Sequence, residues 1–207
     1  MRVLVFGATG SVGRHVVEQG LSRGHDVTAF VRDPSGLDAG RAGLTVFRGD
    51  VLDAPSVEGA VRGQEAVLCC LGAGRKGGIR SEGTRNIIRA MEEAGVRRLV
   101  CQTTLGVGES SDNLDFFWRH VMFGLLLRGA FADHEQQEAH VKGSDLDWTI
   151  VRPAAFTDGG RTGAYRHGFS PTKEGLSLKI SRADVAEFML DQLTDETYLR
   201  QTPGLSY

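Results

Sequence analysis

The stretch Val3-Leu4-Val5-Phe6-Gly7-Ala8-Thr9-Gly10-Ser11-Val12-Gly13-Arg14 decides the fold of this chain. Its apolar start predicts a buried strand, and its three glycines predict a tight turn that leads into a helix. Such a turn presents backbone N–H groups and the positive end of a helix dipole to the phosphates of a dinucleotide. We expect Gly7 to permit the turn, Gly10 to permit close approach of a pyrophosphate, and Gly13 to let the helix pack closely on the sheet.

Short apolar segments alternate with helical patterns along the rest of the chain. After the first strand, strands are expected at 26–31, 44–47, 65–71, 98–103, 148–151 and 176–180. Helices are expected from residue 12 to about residue 24 and at 56–61, 79–94, 114–131, 133–142 and 182–193. This alternation is typical of parallel strands joined by right-handed crossover helices. The sequence therefore predicts an α/β fold, a single Rossmann-like doubly wound parallel sheet with helices on both faces.

The size of the chain favours one domain. With 207 residues, of which 41% are hydrophobic and 24% charged, the chain has material for one substantial core and too little for two ordinary domains. We expect a dinucleotide-binding domain over 1–207, with small substrate-pocket loops and helices at 72–80, 104–131 and 154–175.

Charge and the N-terminal sequence limit the partners. A net charge of −2 and a pI near 6.3 argue against nucleic acid as a partner. The first strand begins at Val3, which leaves no room for a cleavable leader, so we expect a cytoplasmic protein. Arg119, His120 and Arg128 interrupt the apolar segment 114–131, which disfavours a membrane span. That segment either packs in the core or covers an apolar substrate pocket or a dimer face. We expect a small-molecule substrate and a monomer or homodimer.

The cysteines do not indicate a metal or a disulfide framework. Cys69, Cys70 and Cys101 lie in apolar segments, and neighbouring residues on a strand point to opposite faces. Their odd count fits no complete set of disulfides, and no His/Cys spacing resembles a zinc site. We expect three buried core thiols and no metal.

The residues after the second strand bear on the choice of cofactor. An acidic side chain at this position binds the ribose hydroxyls of NAD, whereas an arginine accommodates the 2′-phosphate of NADP. Arg32 ends the predicted strand, and its planar guanidinium suits phosphate and adenine. Arg14 is positioned to add a second positive charge. NADP(H) is therefore preferred, while the adjacent Asp33 keeps NAD(H) possible.

Several segments in order resemble one family. They are Gly7-Ala8-Thr9-Gly10, Val31-Arg32-Asp33, Gly49-Asp50-Val51, Ser81-Glu82-Gly83-Thr84-Arg85-Asn86-Ile87, Asp147-Trp148-Thr149-Ile150-Val151-Arg152-Pro153 and Thr162-Gly163-Ala164-Tyr165. From end to end the chain resembles the atypical short-chain dehydrogenases, which include NmrA-like proteins and the biliverdin-IXβ and flavin reductases.

This resemblance implies a role for individual residues around the cofactor. It places the pyrophosphate on residues 9–13, the 2′-phosphate on Arg32, and the adenine edge on Asp50 and Val51. It places the nicotinamide and its ribose beside the ends of strands four to six, at Leu71, Gly72, Thr103, Thr104 and Pro153, with Ala154 and Ala155 beside Pro153. Together with Gly7, the implied cofactor-binding set is Gly7, Thr9, Gly10, Ser11, Val12, Gly13, Arg32, Asp50, Val51, Leu71, Gly72, Thr103 and Pro153.

The catalytic residues depart from the short-chain dehydrogenase pattern. Carbonyl-reducing members use a tyrosine four residues before a lysine, and here Ala130 and His134 occupy those positions. We expect Thr104 to hydrogen-bond the substrate or the nicotinamide. His134, which matches a histidine of the biliverdin-IXβ and flavin reductases, would orient a water or supply a proton near its ordinary pKa of about 6.5. Tyr165 would stack on a planar substrate or cover the pocket edge.

The missing tyrosine–lysine pair narrows the chemistry. Hydride reduction of a flavin or quinone can draw its proton from solvent or from a weak donor, whereas carbonyl reduction needs a positioned donor. The sequence therefore favours an NADPH-dependent reductase of flavins, quinones or similar flat conjugated acceptors. Two alternatives are an NmrA-like redox sensor that binds NADP(H) without turnover, and a specialised-pathway reductase or isomerase with unorthodox catalytic residues.

Overall fold

Ten strands and five helices make up the part of the chain that the structure, a computed structural model, describes: residues 1–72, 77–108, 110, 128–168 and 175–207. The strands are β1 (Arg2–Phe6), β2 (Asp26–Val31), β3 (Leu44–Arg48), β4 (Ala66–Cys69), β5 (Arg98–Gln102), β6 (Asp147–Pro153), β7 (Ala155–Thr157), β8 (Arg166–His167), β9 (Lys179–Ser181) and β10 (Gly204–Ser206). The helices are α1 (Gly13–Ser22), α2 (Ala54–Val61), α3 (Ile79–Ala94), α4 (Arg128–Lys142) and α5 (Arg182–Asp191).

Eight of these strands form one sheet in the order β3-β2-β1-β4-β5-β6-β10-β8. Every neighbouring pair from β3 to β10 is parallel, and β8 pairs with β10 in the antiparallel direction. Strands β7 and β9 form a separate parallel pair. The strand order reverses between β1 and β4, which is where open sheets of this kind bind ligands. The predicted Rossmann-like fold is confirmed.

The core consists of two apolar layers, one on each face of the sheet. On one face, Val16 of α1 and Phe188 of α5 pack against residues such as Val5 of β1. On the other face, Ile87 of α3 and Val141 of α4 belong to one apolar cluster with Val57 of α2. Strands β1 and β4 are buried on both faces, as expected for the centre of a parallel sheet.

The main strands and helices fall close to their predicted positions, and the differences lie in the last third of the chain. Helix α4 runs without a break from Arg128 to Lys142, whereas the sequence predicted a break between residues 131 and 133. Buried residues at helical spacing, such as Asp133, Gln137 and Val141, hold this helix against the sheet. The predicted helix at 114–131 lies, up to residue 127, outside the described residues.

Strands β7, β8 and β10 were not predicted. Each has only two or three residues, and each pairs with a strand that is distant in sequence: Leu205 of β10 lies between Pro153 of β6 and His167 of β8. Such short segments carry little periodicity of their own, because the pairing across the sheet defines them.

The three cysteines are buried free thiols, which confirms the expectation from the sequence. Cys69 and Cys101 lie opposite each other on β4 and β5. Burial raises the pKa of the Cys70 thiol well above its ordinary value, which keeps this thiol protonated and unreactive. In the described parts of the chain, no helix has both the length and the apolar character that crossing a membrane requires.

Candidate active site

The glycine turn between β1 and α1 has room for glycine only. Gly7 adopts a φ of +74°, and a Cβ atom on it would lie 2.3 Å from the carbonyl oxygen of Cys70. A Cβ atom on Gly13 would lie 2.0 Å from the carbonyl oxygen of Gly7. The N–H of Gly10 donates to that same oxygen at 2.9 Å, which closes the turn. Among the described residues no side chain caps α1, and the turn residues Thr9, Gly10, Ser11 and Val12 that precede it line the adjacent cavity.

A cavity of about 720 Å³ opens at the carboxyl edge of the sheet. Its wall is formed by the ends of β1, β2, β4, β5 and β6, by the turn that precedes α1 and by the first turn of α3. This volume lies within the range of cofactor and ligand sites, and the cavity lies at the crevice where doubly wound sheets bind nucleotides.

Fourteen of the fifteen predicted site residues line this cavity. They are Gly7, Thr9, Gly10, Ser11, Val12, Arg32, Asp50, Val51, Leu71, Gly72, Thr103, Thr104, His134 and Pro153. Gly13 is the exception, because it packs against the backbone of Gly7 and Ala8 beneath the turn. This contact fits the close helix packing that the sequence predicted for Gly13, while its contact with the pyrophosphate stays a prediction.

At the end of β2, the two candidate specificity residues point in different directions. Arg32 is exposed and lines the cavity. The Asp33 carboxylate instead accepts the N–H of Ser35 at 2.9 Å and caps the short 3-10 turn Pro34–Gly36. This hydrogen bond lowers the pKa of Asp33. Arg14 is exposed on α1 but does not line the cavity.

A buried charged network lies behind Thr103. The Thr103 hydroxyl donates to Glu138 Oε1 at 2.9 Å, and Arg152 donates to both oxygens of the same carboxylate, at 2.8 and 2.6 Å. Lys142 lies 3.0 Å from Glu138 Oε2. Burial acts to raise the pKa of Glu138, but these cationic partners outweigh it and hold the pKa below its ordinary value. The network ties α4 to the ends of β5 and β6.

His134 is held by a second buried network. Its Nδ1 lies 3.1 Å from Gln137 Oε1, and the Gln137 amide nitrogen lies 3.1 Å from Thr84 Oγ1 and 3.3 Å from Cys101 Sγ. Burial, followed by the positive charge of Arg80, lowers the pKa of His134 to about 4. A pKa this low disfavours His134 as a proton donor near pH 6.5 and favours the other expected role, the orientation of a water molecule.

Tyr165 does not face the cavity. Its ring packs edge-on against Phe188, at a centroid distance of 6.2 Å, and against His167 at 6.1 Å. The expectation that Tyr165 stacks on a planar substrate is not met in this structure, because the apolar face of α5 offers its ring a packing partner.

Sequence reasoning missed several cavity residues, and Arg80 and Phe156 are two of them. Arg80, in the first turn of α3, is 7% exposed and forms a salt bridge of 3.4 Å with Asp133. Phe156, in β7, is 36% exposed at the rim. The signal for Arg80 was its position after strand β4, since residues at that edge converge on the crevice. The signal for Phe156 was an aromatic residue directly after the segment that ends at Pro153.

Comparison with known proteins identifies the family of the chain. Residues 7–196 match the NAD(P)H-binding family. A chloroplastic protein of Arabidopsis thaliana, itself uncharacterised, is 31% identical over 94% of this chain and 72% of its own length. The divinyl chlorophyllide a 8-vinyl-reductase of the same plant is 29% identical over 97% of this chain, which spans about half (52%) of that reductase.

Solved structures agree. ChuY, an anaerobilin reductase of Escherichia coli O157:H7, superposes with a TM-score of 0.83 at 27% identity, over 99% of this chain and 96% of ChuY. A short-chain dehydrogenase/reductase of Veillonella parvula in complex with NADP superposes with a TM-score of 0.85 at 18% identity, over 100% of this chain and 94% of that one, which supports the fold alone. The chain therefore belongs to the NAD(P)H-binding family of Rossmann-fold proteins.

Proposed function

We propose that the protein is an NADPH-dependent reductase that delivers hydride to a flat conjugated acceptor. The observation that carries this proposal is the composition of the cavity wall. Among its described residues there is no tyrosine and no lysine, so the proton donor that carbonyl reduction requires is missing there. A conjugated acceptor spreads the charge that hydride brings, and solvent can then protonate it.

The bound cofactor would supply the hydride, and the chain would supply its position. The turn residues Thr9, Gly10, Ser11 and Val12 would hold the pyrophosphate through backbone N–H groups. Asp50 and Val51 would contact the adenine. At the opposite end, the nicotinamide and its ribose would lie beside Leu71, Gly72, Thr103 and Pro153, where the edge of the sheet excludes water from one face of the ring.

NADPH is the cofactor that the end of β2 favours. Arg32 lines the cavity, whereas Asp33 uses its carboxylate to cap a turn and does not line the cavity. A cavity that presents Arg32 but not the Asp33 carboxylate favours binding of a 2′-phosphate.

Thr104 and His134 are the proposed catalytic residues. Thr104 is half-buried, and the hydrogen bond of its hydroxyl to Leu105 O is long, at 3.4 Å, so this hydroxyl is available to a ligand. His134 is neutral above pH 5, so its imidazole would orient a water molecule or the acceptor rather than donate a proton as imidazolium.

The class of acceptor is suggested by the relatives. ChuY is an anaerobilin reductase and the plant relative is a vinyl-reductase of a chlorophyllide, and both substrates are large conjugated tetrapyrroles. The exposed ring of Phe156 and the side chain of Leu178 give this cavity an apolar rim on which such a flat molecule could lie. We therefore extend the proposed acceptors from flavins and quinones to tetrapyrroles.

The remaining assignments are also part of the proposal. A monomer or a homodimer is proposed, as expected from the sequence. Cytoplasmic location stays a prediction, since some relatives are chloroplastic.

The test is NADPH oxidation at 340 nm with FMN, a naphthoquinone or a linear tetrapyrrole as acceptor. Acceptor-dependent oxidation that saturates with at least one of them is expected. Tight NADPH binding without turnover on any acceptor would contradict the proposal and favour the sensor. Reduction confined to a non-conjugated carbonyl compound would contradict it in favour of the specialised-pathway enzyme.

A further inference from the structure

One buried polar side chain next to His134 is not explained by cofactor binding or by hydride transfer. Gln137 of α4 is fully buried and is not among the residues that line the described cavity. A buried amide destabilises a fold unless its hydrogen-bonding groups are paired. The amide of Gln137 is paired with several neighbouring side chains, and one of them, His134, lies on the cavity wall. The direction of these hydrogen bonds therefore affects the state in which His134 meets a ligand.

The contacts of Gln137 assign its amide nitrogen and oxygen. The nitrogen lies 3.1 Å from Thr84 Oγ1 and 3.3 Å from Cys101 Sγ, with Cys69 Sγ farther away at 3.9 Å. The oxygen lies 3.1 Å from His134 Nδ1. If the amide were turned over, only His134 Nδ1 would face its nitrogen among the described residues, and the second N–H would be buried without a partner. Such buried, unpaired donors are rare in folded proteins, so the oxygen faces the imidazole.

This orientation of the amide determines which nitrogen of His134 carries the proton. An amide oxygen can only accept a hydrogen bond, so Nδ1 must be the protonated nitrogen. The imidazole is neutral near pH 7, because burial and the charge of Arg80 lower its pKa to about 4. A neutral imidazole holds one ring proton, so Nε2 keeps its lone pair. Nε2 has no hydrogen-bond partner among the described residues, and His134 lines the cavity. Nε2 is therefore the atom of His134 that is available to a water molecule or a ligand.

We propose that Gln137 is a positioning residue that holds His134 as its Nδ1–H tautomer, so that Nε2 accepts a hydrogen bond from the water molecule that protonates the reduced acceptor. The effect on turnover rests on the proposed reductase function. In that reaction NADPH gives up a hydride and becomes NADP⁺, and the acceptor gains the hydride and becomes an anion. The water adds a proton to this anion and recovers one from solvent. His134 orients the water and does not itself give a proton.

NMR spectroscopy reads the tautomer directly. In the full-length protein labelled with ¹⁵N-histidine, ring nitrogens with and without a proton resonate in separate ranges. The chain contains six histidines, and the imidazole that is missing from the spectrum of His134→Ala identifies His134. In the wild-type protein at pH 8, this imidazole should have a protonated Nδ1 and an unprotonated Nε2.

Three variants assign the tautomer to Gln137. Gln137→Met removes the acceptor of the Nδ1 proton, so both tautomers should be populated, and kcat should fall about 3- to 10-fold, the effect of one hydrogen bond. Gln137→Glu keeps an oxygen opposite Nδ1, so it should keep the tautomer and a kcat at pH 8 within about 3-fold of the wild-type value. Gln136→Met is the matched control, because Gln136 is the adjacent, exposed residue of the same helix. It should change neither quantity, and the dissociation constant of NADPH should be the same in all three variants.

The wild-type spectrum alone can overturn the proposal, since a protonated Nε2 on His134 would exclude it even if Gln137→Met does not fold. A Gln137→Met variant with the wild-type tautomer and kcat would overturn the role of Gln137, and so would loss of the tautomer in Gln137→Glu. A changed tautomer with an unchanged kcat would overturn the effect on turnover. If no acceptor is reduced, the reductase proposal fails, and the NMR spectra still decide whether Gln137 fixes the tautomer.

A matched pair of acceptors tests the role of the water molecule. Lumiflavin and 3-methyllumiflavin share the isoalloxazine ring and differ in one N–H group. Their KM values for the wild-type protein should agree within about 3-fold, because Nε2 accepts its hydrogen bond from water. A KM more than about 10-fold lower for lumiflavin, with the difference lost in His134→Ala, would overturn the role of water by assigning Nε2 to the acceptor.

Discussion

Arg32 is the residue on which the cofactor preference depends. It is exposed at the end of β2, lines the cavity, and makes no salt bridge within the described part of the chain. Arg32→Ala should raise the dissociation constant of NADPH by about 10- to 100-fold and that of NADH by less than about 3-fold, because only NADPH loses a charged phosphate contact. Quenching of intrinsic fluorescence measures both constants. Equal losses for the two cofactors would remove the NADPH assignment.

His134 permits a prediction about turnover. His134→Ala should lower kcat about 10-fold on any accepted substrate without changing the NADPH dissociation constant, since His134 lines the cavity and is proposed to contact a water molecule or the acceptor. In the wild-type protein, a plot of kcat against pH should show no inflection near pH 6.5 that comes from His134, so the plot for the variant should have the same shape there. An unchanged kcat would mean that His134 is only a packing residue.

The lowered pKa of His134 also affects stability. The pKa of His134 is about 4 in the folded protein, whereas in the unfolded chain it has the ordinary value of 6.5. The unfolded state therefore binds a proton that the folded state does not, and stability falls as pH decreases from 6.5 to 4. His134→Gln should make this decrease smaller, by at most about 3 kcal/mol. Urea unfolding at pH 7.5, 6, 5 and 4 measures the free energy of unfolding of both proteins. If this free energy depends on pH in the same way in both, the lowered pKa of His134 is contradicted.

At the scale of elements, the attachment of α4 to the sheet depends on Glu138. Its carboxylate joins the helix to Arg152 of β6 and to Thr103 after β5, and both side chains of the ion pair are almost fully buried. Glu138→Gln removes the carboxylate that accepts two hydrogen bonds from the buried Arg152 guanidinium, which should cost about 3–5 kcal/mol in the free energy of unfolding.

Glu93→Gln is the matched control for this change. The Arg89–Glu93 pair on α3 is about as short, at 2.8 Å, but both side chains are exposed. Removal of this exposed pair should lower the free energy of unfolding by no more than about 0.5 kcal/mol. Similar losses for the two variants in urea unfolding would refute the importance of the buried pair.

At the scale of the whole molecule, the last strand connects separate parts of the fold. Strand β10 lies between β6 and β8, and the hydroxyl of Tyr207 directly after it donates to Asp184 at 2.6 Å and accepts the N–H of Ser181 at 3.1 Å. The N–H of Thr162 donates to the same carboxylate at 2.7 Å. These bonds attach the loop after β7 and the start of α5 to the sheet edge.

Tyr207→Phe should therefore destabilise the whole domain. The loss of one partner of the buried Asp184 carboxylate should cost about 1–3 kcal/mol, measured as a lower urea midpoint. Tyr165→Phe is the control, because the Tyr165 hydroxyl has no hydrogen bond among the described residues. This substitution should change the free energy of unfolding by no more than about 0.5 kcal/mol. Equal midpoints for Tyr207→Phe and the wild-type protein would contradict this role.

The sequence alone determined the fold and the general location of the site. The apolar segments that become β1, β4 and β5 bury both faces, and that pattern together with the glycine turn specifies a parallel sheet with a nucleotide crevice. Local rules suffice here, because Gly7 and Gly13 are required by backbone contacts within a few residues or with the adjacent strand. The positions of the predicted cavity residues follow from their places at strand ends.

Only the tertiary structure decided the electrostatics of the site and the edge of the sheet. The neutral state of His134 depends on burial and on Arg80, which lies 54 positions earlier in the sequence. The direction of Asp33 depends on a turn, and the burial of Arg80 depends on its salt bridge with Asp133 of α4. Charges and short edge strands are governed by contacts between residues distant in sequence, which no local pattern encodes.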